Sequence, residues 1–181
     1  ETGATQWQWD STPPVGTPLG GFAGRFGKPS TAVHDPIFAK ALVLDDGATR
    51  LAILTTDLVG TNPEMVRRVA EKSGFPRERL MVCASHTHSG PGAYGQGAFA
   101  AISLGTYQQS VFDGMADGMA RAMFLAALAE ILVAAIVLVG RLGASEPPGM
   151  AGVLIIIGFF TLMWAASGAL FLRAARGMRL S

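Results

Sequence analysis

Met150 to Leu172 is an uninterrupted apolar run, followed by Arg173, Arg176 and Arg179. A core helix of a water-soluble protein is very rarely apolar all round for that length. A second stretch, Ala122 to Gly140, is apolar except for Glu130, and it has about the length a helix needs to cross a bilayer. Arg141 to Gly149 between them is a polar turn carrying Pro147 and Pro148. The two runs predict a helical hairpin in a membrane: a first transmembrane helix over residues 122–140, a turn over 141–149, a second helix over 150–172 and a basic tail over 173–181. Glu130 would then lie near mid-bilayer, where a charge costs about 3 kcal/mol. It is expected to be protonated, paired or turned toward another helix, unless the surrounding apolar helix simply tolerates it.

Charge follows the same division. Residues 1–120 carry nine basic and eleven acidic side chains, and residues 121–181 carry five and two. The first part has an ordinary globular composition and the second a membrane composition. No long basic patch exists, so nucleic acid is not an expected partner. Cys83 is the only cysteine, which excludes an intrachain disulfide. In its apolar run it reads as a small buried hydrophobe, with a zinc ligand or reactive thiol as the alternative.

Residues 1–31 read as an irregular, partly extended lead-in. Pro13, Pro14 and Pro18 argue against a helix there, and Trp7 and Trp9 alternate. Gly20 to Gly27 is glycine-rich but lacks the strand-then-helix context of a nucleotide loop. Residues 32–121 read as an α/β domain, a mixed sheet with flanking helices. Residues 37–44 and 51–56 are β-like runs joined by Asp45-Asp46-Gly47-Ala48, a connector of hairpin length. Asn62 and Pro63 suit the N-cap and first position of a helix that runs to about Ser73 and stops at Gly74. Residues 80–84 form the next strand. Gly90 to Gly105 reads as a long loop, and Thr106 to about Met123 as a helix.

Two of the three histidines lie just after that last strand, in Ser85-His86-Thr87-His88-Ser89-Gly90-Pro91-Gly92. In an extended backbone side chains two apart share a face, so His86 and His88 are placed to look into one cleft. Neutral imidazole is a common metal ligand, and zinc takes it readily. An H-x-H pair alone also fits two polar loop residues bonded to backbone. Strand ends in α/β sheets suit chemistry, and Asp57 closes the second run as His86 follows the third.

The longer string resembles the N-terminal segment of the neutral/alkaline non-lysosomal ceramidases. Upstream, Val33-His34-Asp35-Pro36 with the strand through Asp45-Asp46-Gly47, and Leu51 to Leu58, are similar to that family's first histidine turn and its next strand. Downstream, Ile102 to Tyr107 and Val111 to Gly118 are similar to its S-L-G segment and the helix after it. The resemblance covers about residues 18–122. It implies a zinc amidohydrolase that cleaves the N-acyl amide of ceramide or a similar lipid amide. It implies His86 and Asp57 as metal residues, His88 as a substrate-orienting imidazole and His34 near the same cleft. His34 in His-Asp-Pro also fits a local turn, and Asp57 also fits a strand-end cap.

The family's further zinc ligands and its serine segment have no match, and no histidine follows His88. The resemblance thus implies a domain truncated relative to the family, inactive, or completed by another subunit. Two readings stand side by side. One is a membrane-anchored ceramidase-like zinc hydrolase acting on a lipid amide at a bilayer. The other is a non-catalytic subunit of a membrane complex, with the domain as scaffold and the hairpin packed on partner helices. Orientation divides likewise: the arginines flanking the hairpin favour a cytoplasmic N-terminal domain, whereas the resemblance favours an extracytoplasmic one.

Overall fold

The computed structural model describes residues 3–142. The second apolar run and the basic tail lie outside the described residues. The chain divides into two compact units, Glu1–Leu132 and Val133–Ser181.

A four-stranded sheet in the order β1-β2-β3-β4 organises the first unit. Its strands are β1 (Gly3–Asp10), β2 (Phe38–Asp45), β3 (Arg50–Thr56) and β4 (Leu80–Ala84). β1 and β2 pair antiparallel, as do β2 and β3, and β4 lies parallel to β3. The lead-in is therefore more regular than its composition suggests. Residues 3–10 form an edge strand in full register with β2, and the prolines that argue against a helix begin only at Pro13.

The hairpin between β2 and β3 is held by its two aspartates. Asp45 Oδ1 accepts from Gly47 N at 2.7 Å, and Asp46 Oδ1 accepts from Ala48 N and Thr49 N at 2.9 and 2.7 Å. These bonds hold the Asp46 carboxyl below the usual carboxylate range, and Arg50 beside Asp45 does the same there. The parallel step from β3 to β4 is made by α1 (Pro63–Ser73). Asn62 caps it by accepting from Met65 N at 2.8 Å, and Gly74 ends it at φ 71°.

The loop expected over 90–105 contains a short helix, α2 (Ala98–Leu104), between Gly97 and Gly105. The last element among the described residues is one helix, α3 (Gln109–Leu142). One face of the sheet, with Ala41, Val43 and Leu54, joins Met65 and Val69 of α1 and Met115, Met119 and Met123 of α3 in one buried cluster. Alternation leaves the other face open, so Leu44, Leu51 and Met81 are exposed despite being apolar.

Helix α3 is long and apolar enough to cross a membrane over Gln109–Arg141. Its buried part reaches Glu130: Ala122, Met123, Ala126 and Glu130 are buried. Continuous exposure of large apolar side chains begins at Ile131, rather than at 122 where composition changes. Glu130 is paired. Arg50 Nη2 lies 3.0 Å from its Oε2, and the Arg50 Nε donates to Asp45 Oδ2 at 2.5 Å.

Candidate functional site

The histidine loop leaves the C-terminal end of β4 and is fastened to the N-terminal segment. Gly20 N donates to Gly90 O at 3.0 Å, Gly92 N to Pro18 O at 2.6 Å, and Gly21 N to Ser103 O at 2.8 Å. These approaches are close enough to need glycine. A Cβ on Gly92 would collide with the Leu104 carbonyl, and one on Gly21, which lies at φ 106°, would meet the His88 ring at 2.5 Å. Arg25 Nη1 donates to His88 O at 2.5 Å and to Gly20 O at 3.2 Å, clamping the two segments from one side.

Within this frame the imidazoles meet. His86 Nε2 and His88 Nε2 are 3.3 Å apart, with the rings edge to face at 4.9 Å between centroids. The convergence does not come from an extended backbone. β4 ends at Ala84, and His86 is left-handed at φ 58°. Histidine is among the non-glycine residues that tolerate that region, and the turn directs its ring onto the imidazole two residues on.

Hydrogen bonding fixes the tautomer of His86. Its Nδ1 lies 2.6 Å from Val59 O, and a carbonyl can only accept, so Nδ1 carries the proton. The His86 Nε2 lone pair therefore faces His88. A carbonyl on the far nitrogen is how proteins orient imidazoles that bind metal. Val59 is fixed in turn by its neighbour, because Gly60 N donates to the hydroxyl of Tyr94 at 3.2 Å. Tyr94 is 3% exposed, and burial pushes its phenol up, so it stays protonated at neutral pH. The His88 ring packs edge-on against Phe22 at 4.8 Å. Its Nδ1 is buried and has no hydrogen-bond partner among the described residues.

The other two expected residues are bonded to other groups. Asp57 Oδ2 accepts from Phe38 N at 3.0 Å, tying the end of β3 to the start of β2. His34 is 96% exposed in its side chain, and its Nδ1 contacts Asp35 Oδ2 at 2.6 Å. That contact raises its pKa above the ordinary histidine value, and burial contributes nothing favourable. Among the described residues no group of three His, Cys, Asp or Glu side chains could hold a metal. Two nitrogens 3.3 Å apart, each about 2.0–2.1 Å from an ion, would subtend roughly 105–110°, close to tetrahedral. The pair thus has the spacing of two ligands, short of a closed site.

Sequence reasoning missed Val59, Phe22 and Arg25 as parts of this site, and the hydrogen bond by which Tyr94 supports it. Val59 acts through its carbonyl, which no residue type announces. The glycines at 20, 21, 90 and 92 were the available signal, since they mark where two segments press together.

The comparisons with known proteins agree with this frame. The N-terminal profile of the neutral/alkaline non-lysosomal ceramidases matches residues 8–140. The chain belongs to that family. The neutral ceramidase of Pseudomonas aeruginosa is 28% identical over 102 residues, 52% of this chain and 15% of that protein. The neutral ceramidase of Mycobacterium tuberculosis is 24% identical over 106 residues, 53% of this chain and 17% of that one. The crystal structure of the Pseudomonas aeruginosa neutral ceramidase superposes with a TM-score of 0.62 at 25% identity, covering 69% of this chain and 21% of the other. A ceramidase complexed with C2 gives a TM-score of 0.60, also at 25% identity. This chain therefore spans about a sixth of the length of the curated ceramidases it matches.

Proposed function

We propose that this ceramidase-family chain contributes the histidine part of a zinc site for hydrolysing the amide of ceramide or a similar lipid. The observation that carries the reading is the convergence of His86 Nε2 and His88 Nε2 at 3.3 Å, with His86 Nδ1 tied to a carbonyl. That donor set suits zinc, which takes neutral imidazole nitrogen at about 2.0–2.1 Å. Bound there, zinc would polarise the amide carbonyl and acidify a water. The chain's own contribution is positional. Val59 and Tyr94 hold His86, and Phe22 and Arg25 hold His88 and its backbone.

A catalytic zinc usually has three protein ligands. The remaining ligands and the nucleophile-activating groups would come from residues outside this stretch or from another subunit. Attachment to a bilayer is part of the same proposal. It rests on the exposed apolar side chains from Ile131 to Leu138 and on the apolar run Met150–Leu172.

The same shortage of ligands supports a second reading, a ceramidase-fold subunit that is not catalytic in a membrane complex. Zinc content and lipid-amide hydrolysis of the purified protein separate the two. Zinc that is lost in His86→Ala, together with hydrolysis that falls in parallel, supports the hydrolase. Protein that binds no zinc at neutral pH and has no hydrolytic activity supports the scaffold.

A further inference from the structure

The histidine loop and the start of the exposed apolar residues lie at opposite ends of helix α3. At its amino-terminal end, Gln108 N donates to Ala93 O at 2.8 Å. Ala93 continues the histidine loop, and Tyr94 after it bonds to Gly60, next to the carbonyl that holds His86. At the other end Glu130 pairs with Arg50 at 3.0 Å. There Phe124, Leu128 and Ile131 line one groove with Gly47 and Thr49 of the β2–β3 hairpin. Continuous exposure of large apolar side chains begins at the same level, with Ile131, Val133 and Ile136.

Two rulers give the separation. From Gln109 to Ile131 the helix rises about 33 Å, at about 1.5 Å per residue. β3 runs from Arg50, beside Glu130, to Thr56, which pairs with Ala84 two residues before His86. That strand spans about 20 Å, at about 3.3 Å per residue. With the bilayer attached through α3 beyond Ile131, the imidazoles stand about 20–30 Å above its surface. A tilt of about 40°, the upper range for membrane helices, shortens the longer ruler only to about 25 Å.

The amide of a lipid in that bilayer lies at headgroup level. Lifting it to the histidines draws its chains out of the hydrocarbon, and each exposed methylene lowers the population about fourfold. Ten methylenes amount to about a millionfold, so the anchoring bilayer is a poor source of substrate. We infer that α3 holds the histidine site away from its own membrane, and that the site takes a lipid amide presented from outside, either as a dispersed monomer on a carrier or from an apposed membrane. This rests on the proposed lipid-amide site and on attachment through α3, and it adds where the substrate comes from.

The test reconstitutes the full chain in phosphatidylcholine vesicles, with Cys83→Ser as background. Ala48→Cys, on the hairpin, and Phe99→Cys, 91% exposed on α2, each carry a donor fluorophore. A dilute acceptor sits on the lipid headgroups. Energy transfer from 48 should exceed transfer from 99 several-fold. Equal transfer, or more from 99, overturns the inference while leaving attachment and the zinc reading in place. A chain that does not float with the vesicles overturns attachment and this inference together.

A photoactivatable ceramide gives the second arm. It is placed in the anchoring vesicles, in a cyclodextrin complex, or in added vesicles that carry no protein, and cross-links to residues 85–105 are read by mass spectrometry. Cross-links from the complex or from the added vesicles support the inference and name the source. Cross-links from the anchoring vesicles alone overturn it. Cross-links from none of the three overturn it together with the lipid substrate, and unequal transfer from 48 and 99 would then show that attachment itself survives.

Discussion

Tyr94 and His86 are joined through two consecutive residues of backbone. The Tyr94 hydroxyl accepts from Gly60 N at 3.2 Å, and Val59, one residue earlier, offers its carbonyl to His86 Nδ1 at 2.6 Å. Removing the hydroxyl should loosen the peptide that orients the imidazole. Tyr94→Phe is expected to lower zinc affinity by less than the roughly ten- to hundredfold that follows loss of a group bonded directly to the ligand, because Tyr94 acts one residue removed. Equilibrium zinc titration checks it, with the unfolding midpoint measured alongside. A fall in stability with no change in affinity would assign Tyr94 to the core alone.

The histidines should separate by role. His86→Ala and His88→Ala are each expected to abolish stoichiometric zinc binding, since each supplies one of the two converging nitrogens. His34→Ala should leave zinc content unchanged, because its ring is exposed and paired with Asp35. Zinc content after exhaustive dialysis gives the answer. Loss of metal in His34→Ala would move the site elsewhere.

Gly92→Ala is expected to destabilise the domain strongly, by about 3 kcal/mol, the upper end for overpacking, because the Leu104 backbone cannot give way. Gly114 has nothing within 4 Å of a built Cβ, so Gly114→Ala should be neutral or slightly stabilising. Chemical denaturation of both variants checks the contrast.

Arg50 holds a buried carboxylate. Glu130 is 5% exposed, and its Oε2 lies 3.0 Å from Arg50 in an ion pair that lacks good hydrogen-bond alignment. Arg50→Ala leaves that group without its cation and should cost about 1–3 kcal/mol. The double variant with Glu130→Gln should recover part of the loss. Denaturation of the single and double variants reads the coupling, and additive losses would show that the pair does not interact.

The β2–β3 hairpin should weaken in acid. Backbone donors from Ala48 and Thr49 hold the Asp46 carboxyl low in the folded state. Its contribution is therefore present above the unfolded carboxylate pKa of about 3.9 and is lost as pH falls through the lower folded value. Asp46→Asn should remove that part of the acid dependence while leaving stability near pH 7 only modestly changed. The unfolding midpoint followed from neutral pH into acid checks it.

Much of the fold was legible because local signals agreed. Asn62-Pro63 and Gly74 bracket α1, and Asp45-Asp46-Gly47 marks the hairpin. The edge strand over residues 3–10 was obscured by the prolines and glycines that follow it. α2 was hidden in a glycine- and alanine-rich stretch with no side-chain cap at Gly97. Apolar composition alone placed a boundary at residue 122. Burial of Met123, Ala126 and Glu130 shows that a helix with an apolar outer face can still begin inside a domain core. At the site, the histidine pair was visible from spacing, but its geometry was not. The two rings meet through a left-handed residue and a carbonyl 27 positions earlier, and neither leaves a mark in residue type.

The fastening of Gly20 to Gly90 and of Pro18 to Gly92 carries a consequence for how the site matures. The imidazoles sit on a loop whose walls are some seventy residues upstream, so they cannot adopt their mutual angle until the amino-terminal strap has closed over them. A nascent or clipped chain lacking that strap would expose two independent histidines with ordinary chemistry. Convergence of the two rings is thereby made a late checkpoint of tertiary assembly.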